Sequence, residues 1–268
     1  MTGFEIGILI ATGFLAGIFG TLIGIGGGIV FVPVFLLVFH FTPQQAVGTS
    51  LVAVFANALS GSISYLRQKR VDIKCGWKFG LATLPGAFLG AWLADLTGNM
   101  LVIIFGFTMI ILAIFTFFSR FHYRTDQTKA YTSTITDAHG EVFRYSPRVG
   151  MGIVISFFVG VISGLLGIGG GVIHVPALIG LLGFPTHIAT ATSHFVLAIS
   201  SFGGGISHIM LGNVLILPAV IVGVSAIPGA QIGAAISRRV TSHVITRLLA
   251  VALVIVGIRL ILKGFGVF

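Results

Sequence analysis

The sequence predicts an all-α polytopic membrane protein of two inverted-topology repeats, about 8 to 10 transmembrane helices or half-helices, with glycine-broken helices meeting at the midplane. Three observations lead there. The 268 residues are 56% hydrophobic and only 8% charged, far below the roughly 25% charged residues of soluble domains. The chain repeats itself at a fixed spacing, and the charges beside equivalent segments change sign between the copies.

Apolar runs close to the roughly 20 residues that span a bilayer recur near 5–22, 46–66, 76–94, 100–118, 150–168, 188–211, 214–236 and 244–262. They are continuous, which excludes a barrel of alternating strands. The N-terminus carries Glu5 and no Lys or Arg, so no signal peptide is expected and the first helix stays. The single Cys75 excludes an intrachain disulfide, a thiolate zinc site and a two-cysteine redox motif. The formal charge of +9 answers to topology. Lys and Arg gather in RQKRVDIKCGWK (67–78), along 120–148 and at Arg238 and Arg239, which the positive-inside rule assigns to the cytoplasm. No nucleic-acid partner, cofactor or metal is expected.

The first span runs into LIGIGGGIVFVP (22–33), which returns as GLLGIGGGVIHVP (164–176). Gly26 falls on Gly169, a shift of 143 that holds without a gap. Thr49 and Ser50 fall on Thr192 and Ser193, Gly61 on Gly204, Gly80 on Gly223, Pro85 and Gly86 on Pro228 and Gly229, and Gly90 on Gly233. A match of this kind marks two copies of one unit. The boundaries are a first membrane repeat at 1–118, a polar cytoplasmic linker at 119–148 and a second membrane repeat at 149–268. Alternation around DAHG (137–140) predicts a small hairpin outside the lipid.

The basic loop at 67–78 has an uncharged equivalent at 210–221, whereas Asp95 corresponds to Arg238. Both comparisons flip sign together, which requires an odd number of crossings per half and an inverted arrangement. Arg259 and Lys263 run against this pattern. The glycine-broken segment supplies the odd crossing if 5–24 and 28–40 cross separately or pass as two half-helices.

Three successive glycines with a proline five residues on break a helix, glycine costing about 1 kcal/mol and proline about 3 relative to alanine. Unwound backbone survives in a membrane only inside protein or along a polar cavity. Paired breaks in two halves point to a transporter's binding site at the repeat interface. Segments that start near Gly28 and Gly171 would present free N–H groups carrying partial positive charge, to which glycine admits close approach. Such a site favours an anion. Neither copy satisfies a dinucleotide fingerprint or a P-loop, and close helix packing is the competing account of the glycines.

These motifs resemble the sulfite exporter TauE/SafE family. The pattern reads GIFGTLIGIGGGIVFVP (17–33) and GVISGLLGIGGGVIHVP (160–176), followed by AVGTSL (46–51) and ATATSH (189–194). The resemblance covers nearly the whole chain and implies transport of sulfite or small organosulfur anions. Related thiosulfate importers rely on cysteines near the pore, a pattern from which this chain departs.

The expected substrate-binding residues are Gly26, Gly27, Gly28, Thr49, Ser50, Gly169, Gly170, Gly171, His174, Thr192, Ser193 and His194. The hydroxyls of Thr49, Ser50, Thr192 and Ser193 could donate to sulfonate oxygens, or instead cap or back-bond a helix. Asn57 and Gln231 suit interhelical hydrogen bonds. His187, His194 and His208 lie near one helix face at spacings of 7 and 14. A bland account puts His187 and His208 at the interfaces and only His194 inside. With no Asp or Glu clearly mid-membrane, His174, His194 and His208 are the candidate proton relay. The expected partners are a small sulfur-containing anion, the lipid bilayer of the plasma or inner membrane, and protons or another coupling ion. A homodimer is compatible. Another small anion, a neutral solute or a non-transport scaffold are the alternatives; an enzyme is not expected, because no nucleophile, paired carboxylates or metal cluster has convincing spacing.

Overall fold

A capping box opens the first helix: the Thr2 side chain accepts from the Glu5 N–H, and the Glu5 carboxylate accepts from the Thr2 N–H. Helix α1 (Gly3–Ile23) ends where Gly24 turns left-handed at φ 84°, a conformation glycine adopts without steric cost. The computed structural model describes residues 2–97, 100–118, 133–237, 254, 257, 258 and 260–262. After the break come α2 (Gly28–Leu37), α3 (Pro43–Arg67), α4 (Ile73–Thr97) and α5 (Met100–Phe118). A second capping box, Thr42 with Gln45, and Pro43 at the first helical position start α3. A hairpin of β1 (Ser133–Thr136) and β2 (Val142–Tyr145) precedes α6 (Val149–Leu166), α7 (Gly171–Gly180), α8 (Thr186–Met210) and α9 (Ile216–Ile236).

The repeat is visible in the element bounds. Helix α7 occupies the residues of α2 shifted by 143, α8 those of α3, and α9 begins at the shifted start of α4. Ten residues rise about 15 Å, half the hydrocarbon thickness, so α2 and α7 are half-helices. Both run on through a proline, Pro33 and Pro176. The glycines alone make the break, because a membrane helix tolerates the one hydrogen bond that proline removes.

Packing crosses between the copies. Glycines line the α1–α9 seam, where a Cβ added at Gly17 would lie 2.6 Å from the Ala226 carbonyl oxygen and Gly229 meets the Phe14 backbone. The α4–α6 seam repeats this, Gly86 meeting Phe157 and Gly160 meeting Thr83 backbone to backbone. Small residues permit such approach where no hydrophobic drive favours helix association. Along each seam successive glycines step in the same direction as their partners, Gly13 on Val222 then Gly17 on Ala226, and Gly86 on Phe157 then Gly90 on Val161, so the helices are parallel. In the centre, Gly48 meets His208, Leu51 meets Gly204 and Gly61 meets His194, so the equivalent helices α3 and α8 are antiparallel. The basic loop 68–72 and the uncharged loop 211–215 therefore lie at opposite ends.

Five described helices, α1, α3, α4, α6 and α9, are long and apolar enough to cross a membrane. Exposed side chains such as Leu15, Phe19, Leu81, Phe88, Trp92, Val220 and Val224 suit lipid. Helix α8 is long enough but more polar, and its Ser and His side chains are buried. The protein is an all-α multi-pass membrane protein. Of the last expected span, the described positions are helical, and Gly257 packs against the Gly106 carbonyl of α5 at 2.9 Å from an added Cβ. Arg238, Arg239, Arg259, Lys263 and linker positions 119–132 lie outside the described residues.

The hairpin docks on the α3–α4 loop. Arg70 and Asp137, both buried, pair at 3.5 Å, the Tyr145 hydroxyl donates to Asp72 at 2.6 Å, and the Ala138 N–H donates to the Gln68 carbonyl. Burial pushes the Asp137 carboxyl up, but N–H bonds from His139 and Glu141 together with Arg70 outweigh it and hold the group below the usual carboxylate range.

Candidate functional site

The two breaks lie against each other in the protein centre. A Cβ on Gly28, the first residue of α2, would fall 2.6 Å from the Gly167 carbonyl oxygen and 2.7 Å from Ile168 Cα. One on Gly171, the first residue of α7, would fall 2.5 Å from the Gly24 carbonyl oxygen and 2.8 Å from Ile25 Cα. Each half-helix thus begins on the other copy's break. Gly26, Gly27, Gly169 and Gly170 all have φ between 74° and 82°, the left-handed region that L side chains rarely enter.

The Gly20 carbonyl accepts the N–H groups of Gly24, Ile25 and Gly26, so the chain winds tightly about one oxygen. The capping glycines, Gly27 and Gly170, offer no side-chain acceptor to the helices they precede. Among the described residues, no hydrogen bond engages the N–H groups of Gly28, Ile29, Gly171 or Val172. Two uncapped helix starts therefore meet in a centre with no Lys or Arg among the residues just named.

The four hydroxyl residues join the repeats. Ser50 donates to the Gly167 carbonyl at 2.8 Å and Ser193 to the Gly24 carbonyl at 3.4 Å, equivalent bonds across the pseudo-symmetric pair. Thr49 accepts from the Leu215 N–H and Thr192 from the Asp72 N–H, each at 3.0 Å. All four are buried. In this conformation the serine protons are used by the breaks themselves, and the threonines tie down the starts of α9 and α4. These bonds are neither back-bonds nor caps within their own helices; each runs to the other repeat's backbone.

The three histidines His174, His194 and His208 each bond a different residue. His174 Nε2 lies 3.2 Å from Ser156 on α6, with the ring edge-on to Phe79. His194 Nε2 lies 3.3 Å from Thr21 on α1, whose hydroxyl also donates to Asn57 at 3.2 Å. His208, in the last turn of α8, is fully buried and its Nε2 donates to the Gly164 carbonyl at 2.9 Å; His187 is only partly buried. Gln231 bonds Ser60 across helices at 2.7 and 2.8 Å. Among the described residues, no group of three or more His, Cys, Asp or Glu could hold a metal ion.

Sequence reading missed Thr21, Tyr65, Val54 and Leu197, the last two of which cover both breaks. Extending the 143-residue register would have paired Val54 with Leu197, but nothing local marks an apolar residue in an apolar helix.

The sulfite exporter TauE/SafE family model matches residues 9–260. The probable membrane transporter protein YunE of Bacillus subtilis is 37% identical over 96% of this chain and 97% of its own length. A probable membrane transporter protein of Methanocaldococcus jannaschii, MJ0441, is 27% identical over 95% of each, and one of Xylella fastidiosa is 28% identical over 97% of this chain and 96% of its own. No solved structure matches. With two glycine breaks inside a match that spans almost every residue, the chain belongs to the sulfite exporter TauE/SafE family.

Proposed function

We propose that the chain is a secondary transporter of sulfite or small organosulfur anions, sulfonates such as taurine or sulfoacetate, bound by backbone N–H groups at the paired GIGGG breaks. The observation that carries this is the meeting of two uncapped half-helix starts in the protein centre. A charge-assisted hydrogen bond contributes about 1.5–3 kcal/mol, so several N–H groups can replace an oxyanion's water without a buried cation. Family membership and the names of the relatives support transport over enzymatic chemistry.

The antiparallel packing of α3 against α8 supports two inverted repeats with the linker on the cytoplasmic side of the plasma or inner membrane. Alternating access then moves two bundles, α1–α2–α3 with α9, and α6–α7–α8 with α4, each completed by the other repeat's fourth helix. His174 and His194 remain the candidates for substrate contact and proton transfer. The test is a panel of sulfite, taurine, sulfoacetate, thiosulfate, sulfate and acetate, measured by thermal stabilisation of the purified protein and by flux into proteoliposomes. A sulfur anion that stabilises and is carried supports the reading; stabilisation and flux by none of them removes it.

A further inference from the structure

We infer that Leu197 and Val54 are the specificity-determining pair of the break site, setting the size of the organic group that a bound sulfur oxyanion can carry. The inference rests on the proposed binding of an anion between the breaks. Gly26 and Gly169, the middle residues of the two GIGGG runs, face the same two side chains. A Cβ on Gly169 would meet Leu197 Cδ1 at 2.6 Å and Val54 Cγ1 at 2.8 Å; one on Gly26 would meet the other Leu197 methyl, with Val54 Cγ1 at 3.3 Å. Leu197 and Val54 are equivalent positions, 143 residues apart, and both are buried.

They lie where the antiparallel helices α3 and α8 cross, so the approximate two-fold axis passes between them and between the two breaks. Both side chains pack directly on the middle glycines in this conformation, so a molecule held by the break N–H groups meets them as its nearest apolar neighbours. Backbone donors recognise an oxyanion generically and carry no information about what is attached to it. Discrimination therefore falls to the side chains that meet the remainder of the molecule. Both are hydrocarbon, which suits a short alkyl substituent; the second charge of taurine or sulfoacetate has to extend past them. The pair is unequal: leucine, one methylene longer than valine, sets a separate methyl against each glycine, whereas Val54 meets both with Cγ1 alone.

The experiment measures competition by alkanesulfonates of increasing chain length against sulfite flux in proteoliposomes, in the parent and in Leu197→Ala, Leu197→Val, Leu197→Met and Val54→Leu. Reading the ratio of sulfonate to sulfite inhibition removes any general loss of activity. The expected result is a chain-length limit that lengthens in Leu197→Ala and Leu197→Val, with the first alkanesulfonate excluded by the parent gaining roughly tenfold, the usual effect of one methylene in an apolar pocket. Val54→Leu shortens the limit. An unchanged limit in every variant overturns the inference, as does loss of sulfite and sulfonates together in all four, because a size filter acts on the ratio. Absence of any sulfur-anion flux in the parent is a different result: it removes the functional reading on which the filter depends.

Discussion

Tyr65 and His208 occupy equivalent positions in the two repeats and make the same bond with different chemistry. The Tyr65 hydroxyl donates to the Thr21 carbonyl at 2.8 Å and His208 Nε2 to the Gly164 carbonyl at 2.9 Å. Thr21 and Gly164 are themselves equivalent, each in the last turn before a break, where carbonyls run short of helical partners; Thr21 keeps one, the Gly24 N–H. The imidazole in the second repeat does what the phenol does in the first. His208 is accordingly read as a brace, which narrows the proton-relay candidates to His174 and His194.

The replacement His208→Phe leaves the Gly164 carbonyl buried without a donor, whereas Tyr65→Phe leaves the Thr21 carbonyl with the Gly24 N–H alone. The first is expected to destabilise the protein by about 1–3 kcal/mol, the cost of an orphaned buried group, and the second by about 0.5–1.5 kcal/mol, one lost hydrogen bond, each seen as a lower Tm in detergent. Tyr at position 208 should recover part of the loss while leaving the pH profile of transport like that of the parent. A shifted profile for that variant would restore His208 to the relay.

Gly27→Ala and Gly170→Ala force a left-handed backbone on an L residue at φ near 81°, costing about 1–2 kcal/mol each. Gly28→Ala and Gly171→Ala act differently. Both residues have ordinary φ, but a methyl group at either drives the two breaks apart. All four should lose stabilisation by the sulfur anion, the second pair with the larger fall in Tm of the free protein, because the added methyl meets backbone that has little freedom to yield. Retained anion stabilisation in Gly28→Ala would place the ligand elsewhere.

Ser50→Ala and Ser193→Ala each remove the donor to a break carbonyl. Interhelical hydrogen bonds in membranes contribute about 0.6 kcal/mol on average and up to about 1.7. The short Ser50 bond should fall near the top of that range and the longer Ser193 bond near the bottom. Unfolding in mixed detergent micelles would show the order; a larger effect from Ser193 would indicate a second role for its hydroxyl.

Asp137→Asn tests the hairpin dock. The folded carboxyl titrates below its ordinary value of about 3.9, so its ionised form contributes stability above that value. The contribution is lost as the pH falls through the lowered folded value. Limited proteolysis should cut the hairpin faster in the variant than in the parent at pH 7, and the difference should shrink below about pH 4. A constant difference across that range would mean that Asp137 acts by its amide contacts alone.

The starts of both half-helices, Gly28 and Gly171, were legible as residues because glycine's backbone effect is local: three in a row end a helix wherever they fall. The DAHG hairpin and the repeat were legible for the same reason, since turn chemistry and register belong to the chain. The glycine seams of α1 with α9 and α4 with α6 were not. Any of several glycine-bearing helices could have faced any other, and only the assembled bundle shows that each repeat lends its fourth helix to the other. The serines show the limit most clearly. Ser50 reads in sequence as a ligand donor or a cap, and the choice depends on where its hydroxyl finds an acceptor, the Gly167 carbonyl 117 residues away.

The sequence by itself determined that this protein crosses a membrane, that it is two copies of one unit, and that each copy breaks at its glycines, because hydropathy, repetition and backbone freedom are carried by neighbouring residues. Tertiary structure decided that the breaks meet, that Leu197 and Val54 cover them both, that α8 can bury its serines and histidines, and that His208 braces a carbonyl. Those outcomes are contacts between residues far apart in the chain, and a buried polar group's role is set by the partner that reaches it.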